Sequence, residues 1–98
     1  MEASNERNAQ GFISGGTVAG PGMIIQWQDG PIVAAVQTGT LVDDVLWAAQ
    51  QRLEAYNETG LKCRENSIAI TKIEEARLWL AKRHADRVKR GVAHTYSA

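Results

Sequence analysis

Cysteine occurs once in these 98 residues, at Cys63, and phenylalanine once, at Phe12, while proline is confined to Pro21 and Pro31. One cysteine excludes an internal disulfide and agrees with a reducing compartment. No apolar run approaches the ~20 residues of a membrane span, and "MEASNERNAQ" has neither the basic start nor the apolar centre of a secretory signal. A soluble, cytoplasmic protein with no membrane partner is the expectation. Histidine is limited to His84 and His94, and no metal-ligand spacing, P-loop or GxGxxG is present. The expectation is a protein without metal, cofactor or catalytic constellation, one that binds rather than converts.

Net charge is also absent, but only as a balance of two unequal parts. Up to Ala76 the chain has five basic and ten acidic side chains; from Arg77 onward six basic side chains face Asp86 alone. An anion is attracted to the end of such a chain, and so is the acidic part of a second copy. A chain this short has little interior to spare, so it forms one domain at most and draws part of its stability from other chains.

The fold class read from the pattern is α+β, a short N-terminal antiparallel β-hairpin followed by a long antiparallel two-helix hairpin, assembled as a homo-oligomer. Residues 1–22, with "SGGTVAGPG", have no period of either kind and read as a flexible Gly/Ser-rich arm with at most a short extended piece at Gly11–Ser14. Residues 23–98 then form the single domain. "MIIQWQDGPIVAAV" places β-type runs at Met23–Trp27 and Ile32–Val36 around Asp29-Gly30, a hairpin over residues 23–36. Thr40 is an N-cap candidate for a helix over residues 41–57, whose apolar face is Val42, Val45, Leu46, Ala49, Leu53 and Tyr56. Gly60 stops it. A short loop leads to a second helix over residues 64–90, ended by Gly91. At 1.5 Å per residue the helices measure roughly 25 and roughly 40 Å, so the basic distal third of the second has no partner within its own hairpin.

Steps of three and four along the second helix align Asn66, Ala69, Ile73, Ala76, Leu80, Arg83, Arg87 and Arg90. The centre is a packing seam; its last three positions are guanidinium groups. A basic helix end is favoured by the C-terminal dipole in plain solvent. Arginines one turn apart also form rigid donor forks suited to a pyrophosphate, and both readings stand at this point. Elsewhere, His84 and Asp86 point to different sides of the helix, Cys63 has no base beside it and reads as a half-buried thiol at a helix start, and Glu74-Glu75 read as surface charges. Trp27, Trp47 and Trp79 are core candidates. Tyr56 is balanced between the core and stacking on a base.

"MIIQWQDGPI", then "RLEAYN", "CRENSIAITKIEEARLWL" and "RxxDRxxRGV" resemble, in that order, the phage-encoded Thoeris anti-defence sponge family, and "RENSIAITKIEEARLW" is similar to the helical hairpin of phage anti-CBASS sponges. The likeness runs from about Met23 to Thr95. It implies a protein that captures cyclic nucleotide immune signals without cleaving them, chiefly glycocyclic ADP-ribose made by bacterial TIR-domain proteins, with a second site for cyclic trinucleotides in some members. It implies dimers, often assembled as trimers of dimers. Carried over to this chain, the signal-binding residues are Tyr56, Asn66, Arg83 and Arg87, with Trp27 as a further base contact and Arg90 completing the arginine ladder. The second candidate site is Arg90, Gly91, Val92, His94 and Thr95, where His94 stands in place of an expected glycine. The alternative is a small helical nucleic-acid or protein-binding module using the basic helix end; a sponge is expected to ignore long nucleic acid.

Geometry adds a constraint. Asn66 and Arg83 lie on one helix roughly 25 Å apart, too far for one small cyclic ligand to touch both in a single chain. If both serve one ligand, they come from different copies across a two-fold axis.

Overall fold

A computed structural model describes residues 1–33 and 36–98, in two compact units: Met1–Leu41 with Gly91–Ala98, and Val42–Arg90.

In the first unit three strands, β1 (Glu2–Arg7), β2 (Ile13–Gly20) and β3 (Met23–Gln26), form an antiparallel sheet in sequence order. The stretch expected as a mobile arm therefore supplies two strands. Its turns account for this. Asn8 nucleates the first: its Oδ1 accepts from the backbone N–H groups of Gln10 and Phe12, both at 3.0 Å, an Asx turn in all but name. Pro21-Gly22 makes the second, joining the facing pair Gly20 and Met23, with Gly22 at φ 72° in the position where a proline-initiated type II turn requires a left-handed residue. The row Ala3, Val18 and Ile25 runs across all three strands, and the neighbouring row Ser4, Thr17 and Gln26 falls on the opposite face.

The expected hairpin over residues 23–36 is corrected. Met23–Gln26 is a strand, but its partner is β2. Past Gln26 the place of a second hairpin strand is occupied by Thr40, whose N–H donates to the Gln26 carbonyl at 2.7 Å and whose carbonyl accepts from Gln28 N–H at 2.9 Å. The Gln28 side chain secures that return, its Oε1 accepting from the N–H groups of Thr38 (2.8 Å) and Gly39 (3.2 Å). Pro31, without an N–H, cannot donate to a ladder there. Of the expected strand Ile32–Val36, Val33 and Val36 are bridged to each other, Val36 N–H donating to the Val33 carbonyl at 3.0 Å; Ala34 and Ala35 lie outside the described residues. Thr40 thus forms an isolated bridge to Trp27, two residues before the first residue of α1.

The second unit is a helical hairpin of α1 (Val42–Glu58) and α2 (Arg64–Lys89), within one residue of the expected bounds. Asp43 and Asp44 occupy the first turn of α1, where the dipole favours carboxylates. Gly60, at φ 92°, follows its end, and Leu61 N–H donates back to the Tyr56 carbonyl at 3.1 Å. This is the closure that a left-handed residue after a helix makes possible. The helices meet through polar groups. Gln50, 7% exposed, accepts from Arg77 Nη1 at 2.8 Å and donates to Glu54 (3.0 Å) and Glu74 (3.4 Å), while Asn57 Nδ2 donates to Ser67 Oγ at 3.3 Å. No apolar side chain is buried among the described residues.

Candidate functional site

Two clusters of candidate residues lie on the helical hairpin, at opposite ends of α2. At the loop end, Tyr56 belongs to the last turn of α1 and Asn66 to the first turn of α2. Cys63 caps α2: its backbone is extended, and its Sγ accepts from Asn66 N–H at 3.4 Å. The thiol is exposed rather than half-buried, and its use is local. Asn66 turns its amide away from the helix, Nδ2 donating to the Leu61 carbonyl at 3.2 Å. Leu61 therefore bonds to both turns, its N–H donating to the Tyr56 carbonyl and its own carbonyl accepting from Asn66. The ring-bearing and amide-bearing turns are joined through a single residue.

At the other end stand the arginines. The pairings of Gln50 with Glu74 and Arg77, and of Asn57 with Ser67, set the antiparallel register, which brings Val42 opposite about residue 83. From there to Lys89, α2 runs past the start of α1. Arg83 is exposed and Arg87 half-buried. Arg90 caps the helix, and its Nε pairs with Asp86 Oδ2 at 3.0 Å. Seventeen residues of continuous helix separate Asn66 from Arg83, roughly 25 Å. One chain therefore does not bring the corner and the arginines together.

The remaining candidates belong to the first unit. Trp27 continues the β3 edge, half-buried, its N–H donating to the Gly16 carbonyl at 2.9 Å and its backbone bridged to Thr40. In the tail Gly91 has φ 72° and His94 has φ 64°. His94 thus adopts the left-handed conformation that glycine takes most readily. The Thr95 hydroxyl donates to the Val92 carbonyl. Tyr96, absent from the sequence reading, stacks on Phe12 with ring centroids 5.0 Å apart, and its hydroxyl lies where a Cβ on Gly30 would stand, 2.6 Å away. Among the described residues there is no cluster of three metal-ligating side chains. None of the described helices is long and apolar enough to cross a membrane.

The sequence profile of the family described as "Acb2/Tad1, hairpin domain" matches residues 23–85, from the start of β3 through most of α2. The chain belongs to this family. Its members' hairpin is thus the part that holds Tyr56, Asn66 and Arg83, whereas Arg87, Arg90 and the tail lie beyond the match. Among relatives, "Thoeris anti-defense 1" of Bacillus phage SBSphiJ7 is 38% identical over 78 residues, which cover 80% of this chain and 55% of the relative. The chain spans about half the length of the curated relative it matches.

Two features of the Acb2/Tad1 hairpin escaped the sequence reading. Gln50 is polar and stood outside the apolar periodicity, although its spacing from Leu46, Leu53 and Asn57 marks the same stripe. The capping role of Cys63 was readable in the three-residue step to Asn66, the spacing at which an N-cap side chain meets a backbone N–H.

Proposed function

We propose that this phage anti-defence protein binds cyclic nucleotide immune signals, glycocyclic ADP-ribose foremost, and withholds them from their effector without cleaving them. Membership of the Acb2/Tad1 family and the likeness to a Thoeris anti-defence protein support the reading. The observation that carries it is that Tyr56 with Asn66, and Arg83 with Arg87, lie at opposite ends of the helical hairpin. Tyr56 and Asn66 at one end suit a base and its ribose; Arg83 and Arg87 at the other suit a pyrophosphate. They become one pocket only when α2 of a second copy runs antiparallel beside the first, so the site is shared between two subunits. A dimer, or a trimer of dimers, then has its pockets at two-fold interfaces, with Trp27 as a further base contact. The tail from Arg90 to Thr95 is the candidate for a cyclic trinucleotide.

Sequestration requires an affinity on the order of nanomolar, about −12 kcal/mol, which a small ligand reaches when largely enclosed. Titration calorimetry with glycocyclic ADP-ribose, followed by heat denaturation and chromatography of the released ligand, tests the reading. Tight binding with the ligand recovered intact supports it; a cleaved product or no binding overturns it. Arg87→Ala should weaken binding at least ~30-fold, as expected for loss of a charge-assisted contact of about 2 kcal/mol. Its helix content should be unchanged.

A further inference from the structure

Resting on that reading of the site, we infer that Gly60 and the Leu61 carbonyl are positioning elements that make Asn66 a hydrogen-bond acceptor toward the ligand, selecting a base that offers an exocyclic amine. A side-chain amide has one accepting oxygen and one donating nitrogen, and which of them faces a ligand depends on what holds the other. Here Nδ2 of Asn66 is engaged by the Leu61 carbonyl at 3.2 Å. Oδ1 accepts no hydrogen bond among the described residues, and it is the end left for an incoming group. The Leu61 carbonyl is in turn aimed by the turn behind it. Gly60 at φ 92° reverses the chain, so that Leu61 N–H closes on the Tyr56 carbonyl at 3.1 Å. Nothing lies within 4 Å of where a Gly60 Cβ would stand. Glycine is needed at this position for its backbone angle, with no demand for space.

The consequence is a preference that charge alone does not give. Adenine offers the N6 amine, a donor that matches Oδ1. Hypoxanthine places an oxygen at the same position, and two acceptors then face each other. A site built around one hydrogen bond discriminates strongly against a partner that leaves it unmade.

The test compares glycocyclic ADP-ribose with its hypoxanthine counterpart by titration calorimetry, on the full chain and on three variants. Unaltered protein should bind the adenine ligand at least ~10-fold more tightly. Asn66→Ala should weaken adenine binding and reduce the preference to within ~2-fold. Gly60→Val should do the same through strain at a left-handed position, and Gly60→Asn, whose side chain tolerates that backbone, should restore what the valine loses. Circular dichroism identifies a Gly60→Val protein that fails to fold, in which case the ligand pair and Asn66→Ala decide. Equal affinity for the two ligands in the unaltered protein overturns the inference while leaving sequestration intact. An absence of binding to either overturns both.

Discussion

At the scale of single residues, the buried side chain described on the helical hairpin is an amide that the apolar periodicity left out. Gln50 satisfies Arg77, Glu54 and Glu74 at once. A buried polar group contributes little net stability when paired and costs its full desolvation when a partner is removed. Gln50→Ala takes away the one side-chain acceptor that Arg77 is seen to use, so it should destabilise the folded protein by about 2 kcal/mol. The readout is the urea midpoint at fixed protein concentration, with Thr71→Ala, an exposed helical hydroxyl bonded to the Ser67 carbonyl at 3.1 Å, as a control expected to shift it by less than ~0.5 kcal/mol. Equal effects would mean that the Gln50 network fixes nothing. The same residue shows where sequence legibility ends. Val42, Ala49 and Tyr56, which define the apolar face by period, are exposed, whereas Gln50 is buried. Val45, Leu46 and Leu53 of that face are half-buried, so α2 covers the edge of the apolar stripe that also carries Gln50 and leaves the other edge open.

At the scale of elements, the helices were legible to within a residue because their stops are chemical. Gly60 and Gly91 take left-handed angles at both C-termini, and periodicity fills the interval. The sheet was legible only in part. β3 was found through "MIIQ", but β2, "ISGGTVAG", has a composition that lowers strand propensity, and its pairing depends on turn chemistry rather than on side chains that announce a strand. Pro21-Gly22 was the available signal. The glycines within and beside β2 should therefore differ sharply in tolerance. At Gly16 a Cβ would collide with the Ser4 carbonyl of the paired β1, and backbone cannot move aside cheaply. At Gly22 nothing stands within 4 Å, so the only penalty is the left-handed angle, about 1 kcal/mol. Gly22→Ala should lower Tm by a few degrees (about 4–8 °C per kcal/mol for a domain of this size). Gly16→Ala should cost more than ~3 kcal/mol and expose the β1 amides to rapid hydrogen exchange. Similar behaviour of the two variants would count against the β1–β2 register.

At the scale of the whole molecule, the decisive fact is that the described chain buries no apolar side chain, although Trp47 stays 52% exposed and Leu78 and Trp79 each 69%. Burial of apolar surface is the main favourable contribution to folding, and a chain that half-buries Val45, Leu46, Leu53, Ile73 and Leu80 but fully buries none of them is expected to complete that burial against copies of itself. The same association would bring the Tyr56 and Asn66 corner of one copy beside Arg83 and Arg87 of another, so assembly and ligand binding should fail together. Native mass spectrometry should give a multiple of the 10.7 kDa chain. Tm should fall on dilution, because each tenfold step removes about 1.4 kcal/mol per association equilibrium. Trp79→Glu places a charge in the exposed apolar stripe of α2 and should shift the mass toward the single chain. In that variant calorimetry should detect no tight binding of glycocyclic ADP-ribose, even though Tyr56, Asn66, Arg83 and Arg87 are all intact. A dissociated chain that still bound the ligand with undiminished affinity would place the whole pocket within one subunit, against the ~25 Å of helix that separates its halves.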